Sequence, residues 1–99
     1  MLIELKKFGT TLVFRQAGKE AFSAFQSSLV SVPSNEEVLV DFDGVLTFSP
    51  SWGDEFLTPL NQRFGKNLKL KNIQNPSVKA TLEILKQSRG IDFITQDSL

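Results

Sequence analysis

Residues 38–60 read VLVDFDGVLTFSPSWGDEFLTPL, and the fold turns on the change of hydrophobic period inside this stretch. Val38, Leu39, Val40 and Phe42 form an almost unbroken apolar run, which predicts a central strand over 37–42 covered on both faces. After Ser49 the period lengthens. Trp52, Phe56, Leu60 and Phe64 recur at intervals of four with Leu57 beside them, the stripe of a helix with one buried side. Ser49-Pro50 predicts an N-cap followed by proline at the first helical position, Ser51-x-x-Asp54 a capping box shifted by two, and Gly65 the stop.

Outward from this stretch the chain alternates in the same way. Leu2–Leu5 and Thr11–Phe14 read as two short strands joined by a turn at Phe8-Gly9-Thr10, an opening hairpin. Ala17, Ala21, Phe22, Phe25 and Leu29 predict a first helix over 16–29, broken by SVPSNEE. Leu68 and Leu70 alternate with Lys69 and Lys71, a strand nearer an edge with one wet face. Asn75-Pro76 opens a third helix with Val78, Leu82 and Leu85 inward and Gly90 as its end, and IDFITQDSL is left for a last short strand or a loose tail. Strands alternating with helices imply an α/β fold with a mainly parallel or mixed sheet and right-handed crossovers.

Ninety-nine residues, two-fifths of them apolar and nine of them Phe, suit one domain with a small core, over residues 1–99. Eleven basic and eleven acidic side chains cancel, so no single-sign field points to nucleic acid or an anionic membrane. The chain has neither Cys nor His, which excludes disulfides, thiol chemistry, His-based triads and classical zinc sites. The apolar run in MLIELKKFG is too short for a signal peptide, and no stretch approaches the roughly 20 residues of a membrane span, so a cytoplasmic location is expected.

The segment DFDGVLT, residues 41–47, resembles the nucleophile loop of the haloacid-dehalogenase phosphatases. That resemblance implies attack on phosphorus by Asp41, proton transfer by Asp43 and a magnesium ion. The competing reading is a turn, with Asx hydrogen bonds at the aspartates and a free φ at Gly44. The turn is preferred. Two strands and a helix precede the motif, and Asp54, Glu55, Glu83, Asp92 and Asp97 make no paired-acid motif at a strand end.

A second resemblance covers about residues 8 to 87. FGTTLVFRQAGKEAF, VLVDFDGVLTFSPSWGDEFLTPL and LKLKNIQNPSVKATLEILKQ closely resemble the STAS-like domain family of unknown function (DUF4325). Asp41, Phe42, Gly44, Val45, Ser49, Pro50, Ser51, Asp54 and Glu55 stand in matching places, with Trp52 for the usual Phe and Gly53 for the usual Ala. The family is similar in turn to the anti-sigma factor antagonists, in which the second Ser of an Asp-Ser-Ser-Gly helix start is phosphorylated by a partner kinase. That tetrad falls on Ser49, Pro50, Ser51 and Trp52, so the resemblance makes Ser51, with Ser49 beside it, the phosphoacceptor candidate. Three of the four positions depart from the motif.

The resemblance implies a small STAS-like α/β sandwich, a mixed sheet of about four or five strands with helices packed on one face. It implies a non-catalytic regulatory module of bacterial or phage-like signalling that binds a histidine-kinase-like ATPase (a switch kinase) or another signalling partner. No cofactor, metal, nucleic acid or membrane is expected. The partner surface is placed at residues 43 to 55, on Asp43, Gly44, Ser49, Ser51, Trp52, Asp54 and Glu55. Each has a structural alternative: Ser49 and Ser51 as helix caps, Trp52 as core or staple, Asp54 and Glu55 as acids favoured in a first helical turn, with Arg15 pairing to one of them. A metal-dependent phosphatase at Asp41 and Asp43 and a small nucleotide-binding domain using the same helix terminus are the rival functions.

Overall fold

Alternation within the strands shows which side of the sheet is covered. The computed structural model describes residues 1–96, and in its strand Val38–Asp41 the side chains of Val38 and Val40 are fully buried while Leu39 and Asp41 are half-buried. The run is therefore central, as expected, yet covered on one face only. Leu68–Lys71 repeats the pattern, with Leu68 and Leu70 inward and Lys69 and Lys71 outward. Lysines on that second face need water, which accords with a face that no helix covers among the described residues.

In chain order the elements are β1 (Leu2–Glu4), β2 (Thr11–Leu12), α1 (Arg15–Leu29), β3 (Val38–Asp41), β4 (Thr47–Phe48), α2 (Pro50–Phe64), β5 (Leu68–Lys71), α3 (Pro76–Arg89) and β6 (Ile94–Gln96). β1, β3, β5 and β6 form a four-stranded sheet in the order β1-β3-β5-β6, and β2 and β4 pair separately. Every pairing is parallel. Ile3, Val40 and Leu70 lie in register on the covered face, while Leu2, Leu39, Lys69 and Ile94 align on the open one. The expected α/β domain with helices on one face is present, and β5 sits one place in from the β6 edge. Of the tail read as IDFITQDSL, residues 97–99 lie outside the described residues.

The expected opening hairpin does not form. After β1 the chain makes a 3-10 turn at Leu5–Phe8 and leaves it through Gly9 at φ 129°. Leu5 is fully buried and the Phe8 ring packs 5.1 Å from Phe56, so burial draws the chain off the first sheet before it can fold back. β2 consequently pairs with β4. The other edge of β4 is met by side chains. Ser77 of α3 accepts from Phe48 N at 2.8 Å, and Ser77 and Thr81 donate to Phe48 O at 3.1 and 2.6 Å. Those two hydroxyls do the work of a further strand.

α1 and α2 cross where glycine allows it. The periodicity places Ala17 inward, but Ala17 is exposed and its neighbour Gly18 is buried. A Cβ on Gly18 would lie 2.8 Å from the Trp52 carbonyl oxygen and 3.0 Å from its Cα. Trp52 in turn stacks on Phe56 at 5.0 Å and meets Phe48 at 5.8 Å, which fixes the helix on the core. Among the described residues no helix is long and apolar enough to cross a membrane.

Gly18→Ala tests this crossing. The backbone it would strike cannot rotate away, so overpacking of about 1–3 kcal/mol outweighs a helix-propensity gain of about 1 kcal/mol. Urea unfolding should show a net loss of up to about 2 kcal/mol, whereas Ala17→Ser, one residue away, stays within about 0.5 kcal/mol. A stabilised Gly18→Ala would mean that the helices do not touch there.

Candidate functional site at the start of the second helix

The chain enters α2 through Ser49, whose extended backbone places its hydroxyl over the first turn. Ser49 Oγ accepts from Trp52 N at 3.2 Å and donates to Val13 O at 2.6 Å. This is the predicted cap, and it also ties α2 to the residues after β2. Pro50 follows at the first helical position, where a missing N–H costs nothing. The shifted capping box does not form. Ser51 is half-buried and its hydroxyl has no partner among the described residues, while Asp54 is taken up elsewhere.

Asp54, with 8 % of its surface exposed, accepts four side-chain hydrogen bonds. Arg89, the last residue of α3, forks onto it, Nε to Oδ1 at 2.9 Å and Nη2 to Oδ2 at 2.6 Å. Arg15, the first residue of α1, donates through Nη1 to Asp54 Oδ2 at 3.1 Å and to Glu55 Oε1 at 3.0 Å. Thr58 Oγ1, one turn further along α2, donates to Asp54 Oδ1 at 2.8 Å. The Arg89 hydrogen bonds, helped by Thr58 and Arg15 and opposed by burial, hold the Asp54 carboxyl at a pKa of about 2, below its ordinary 3.8. Both guanidiniums are held above their usual value, Arg15 by Glu55 and then Asp54, Arg89 by Asp54. The arrangement is a charge clamp joining three helices.

Beside the clamp, Ser51, Ser88 and Leu85 share with Arg15, Asp54 and Arg89 a surface depression of about 380 Å³. On the α1 side, Lys19, Ser23, Gln26 and Glu55 line a groove of about 470 Å³. Trp52 is 1 % exposed, so it belongs to the core. Phe14, by contrast, is 75 % exposed at the entry to α1, next to Val13, which Ser49 holds.

Asp41 and Asp43 sit elsewhere. Asp41 Oδ1 accepts from Asp43 N at 2.9 Å and from Asn72 Nδ2 at 2.7 Å, and Lys71 Nζ lies 3.9 Å from Oδ2. This is the Asx turn of the turn reading, completed by Gly44 at φ 86°. Among the described residues no group of three or more acids is placed to hold a metal ion. The following loop is fastened by Asn75 Nδ2 to the carbonyls of Val45 and Leu46. Asn75 caps the start of α3 and Arg89 closes it, so at ~1.5 Å per residue about 20 Å of helix separates these two contacts. The structure thus brings Ser49, Ser51, Asp54 and Glu55 together and leaves Asp43 and Gly44, both exposed, at the other end of α3.

Arg89 and Phe14 were not singled out by the sequence. An arginine before a helix-ending glycine reads as ordinary C-terminal dipole compensation, and Phe14 follows an apolar run that looks like strand. The pairing of Arg15 with the acids was foreseen, and it reaches both of them.

Fold and clamp define a one-faced parallel α/β domain organised around the start of its second helix. The family model described as STAS-like domain of unknown function (DUF4325) matches residues 25–78, more than half of the chain, and the chain belongs to that family. The match runs from late α1 into the first turn of α3 and contains Ser49, Ser51, Asp54 and Glu55, while Arg15 and Arg89 fall outside it. No curated protein and no solved structure matches the chain.

Two measurements test the site's physics. Because the folded Asp54 pKa is depressed, the stability it contributes is present above the unfolded value of 3.8 and is lost as pH falls toward about 2. Urea unfolding of the wild type should lose about 2 kcal/mol on this account over that window, and Asp54→Asn should lose that part of the pH dependence. An unchanged acid limb in the variant would show that Asp54 does not carry it. At neutral pH, Ser49→Ala should cost about 1–2 kcal/mol as a lost cap, and Ser51→Ala less than about 0.5 kcal/mol.

Proposed function

We propose that the domain is a non-catalytic regulatory protein-interaction module, similar to the anti-sigma factor antagonists, that docks a switch-kinase-like ATPase through the start of α2 and is phosphorylated on Ser51. The observation that carries this reading is the division of work between two serines. Ser49 has both hydrogen-bonding roles filled by the cap and Val13, whereas Ser51, at the position matched to the phosphoacceptor, has a hydroxyl with no partner among the described residues. Transfer from ATP forms the Ser51 Oγ–P bond as the β–γ bridging bond breaks; ADP leaves, and the hydroxyl proton passes to a base of the kinase.

The non-catalytic part is supported at Asp41, whose carboxylate already holds a turn and the Asn72 amide. The docking part is supported by Phe14, a large exposed ring of the kind that anchors interfaces, which directly precedes the half-exposed Arg15 of the clamp. Trp52 is too deeply buried to serve as that anchor.

A pull-down from native lysate with wild type, Ser51→Asp and Phe14→Ala tests the proposal. The expected result is an ATPase of kinase type captured by wild type and lost from both variants, with phosphate found on Ser51 and not on Ser49. Both variants should fold with stability within about 0.5 kcal/mol of wild type, so that a lost partner is not lost structure. Equal capture by all three would place the interface elsewhere. Direct stabilisation by ATP or GTP, about 2.7 kcal/mol at a hundred times the dissociation constant, would favour a nucleotide-binding domain instead.

A further inference from the structure

The clamp leaves part of each guanidinium uncommitted among the described residues, and both arginines line the same depression as Ser51. Arg89 commits Nε and Nη2 to Asp54, which leaves Nη1 without a partner among the described residues. Arg15 commits Nη1 to Asp54 and Glu55, which leaves Nε and Nη2. Both side chains are about half exposed, at 53 % and 52 %. Ser51 and Asp54 are three residues apart on α2, so they share a helix face, and Ser51, Ser88, Arg15 and Arg89 line one depression of about 380 Å³. A guanidinium already held on one edge by a carboxylate is pre-oriented to offer its other edge to a second oxyanion.

Resting on the reading of Ser51 as the phosphoacceptor, we infer that a phosphate on Ser51 is held within the domain by the free guanidinium edges of Arg15 and Arg89. The phosphate bridges the first residue of α1 to the last residue of α3. Unmodified, the cluster of Arg15, Arg89, Asp54 and Glu55 carries no net charge; the phosphate brings it close to minus two. Modification therefore both adds negative charge and withdraws the two arginines from any acidic group of a docked partner. Three charged groups share the depression with Ser51: Asp54 on α2 raises the second pKa of a phosphate there, while Arg15 on α1 and Arg89 on α3 lower it; Glu55 and Lys19 line the neighbouring groove, one raising and one lowering it from further off.

The experiment installs phosphoserine at position 51 during synthesis, so that no kinase is required, and follows its second ionisation by 31P NMR. The folded protein is compared with an unstructured peptide of the surrounding sequence, where that ionisation lies near pH ~6. The expected result is a value about one unit lower in the folded protein, moving back toward the peptide's in Arg15→Gln and in Arg89→Lys. Arg15→Gln leaves the Arg89 fork on Asp54 in place, and circular dichroism of each unmodified variant confirms its fold. A folded-state value equal to or above the peptide's overturns the inference, as does a lowered value that survives both substitutions. Either failure leaves the docking surface to its own pull-down, and a lost partner there leaves this titration unaffected.

Discussion

One buried carboxylate sets the relation of the three helices. Taking Asp54 out of water costs several kcal/mol unless charge and hydrogen bonds are returned to it, and here Arg89, Arg15 and Thr58 return them. The two cations open α1 and close α3, so satisfying a single charge positions both of those helix ends against α2. Because the guanidiniums stay half in solvent, the desolvation cost falls mainly on the carboxylate. A clamp of this kind tolerates loss of Arg15 better than loss of Arg89, whose fork takes both carboxylate oxygens.

The same helix start is wedged from two sides. Trp52 lies against Gly18 of α1, Gly53 against the Phe48 ring and Thr81, and Asp54 under the two arginines, which makes three consecutive helical residues buried. Helical geometry would ordinarily turn one of three consecutive residues toward water; the absence of a Cβ at Gly18 and Gly53 lets neighbours close on both flanks. What remains outward is Ser51 and Glu55, four apart on one strip. Residues that match the family pattern are thus divided by the wedge into those that build it and those it presents.

Much of this was legible in the sequence because it is local. The four-residue stripe from Trp52 to Phe64, the Ser49-Pro50 and Asn75-Pro76 starts and the Gly65 and Gly90 stops depend on residues within a turn or two of one another, and all are found in place. Pairing partners were not legible. Whether Thr11-Leu12 returns to β1 or joins Thr47-Phe48 is settled by the burial of Leu5 and Phe8 against residues far along the chain. The apolar run of β3 gave no sign that one face is open, since Leu39 reads the same whether a helix covers it or not. Arg89 was silent for a similar reason: its partner lies thirty-five positions away. Gly18 was not singled out at all, because the closeness of Trp52 that makes glycine necessary there comes from a residue thirty-four positions away.

The rigidity of the wedge bears on how any signal at Ser51 could act. The backbone here is held by a cap, by a tryptophan packed on a glycine and by a three-way charge clamp, so a small charge-driven shift meets close-packed contacts on each flank. On the proposed reading, then, a phosphate there works through the surface it presents and not through a change of fold. Its reach is set by charge and by the two arginine edges, and with opposite charges balanced over the rest of the chain there is no broad field to mask it. On that reading, a charge added at Ser51 beside two anchored guanidiniums is the largest local electrostatic change that a partner docked on this balanced domain would meet.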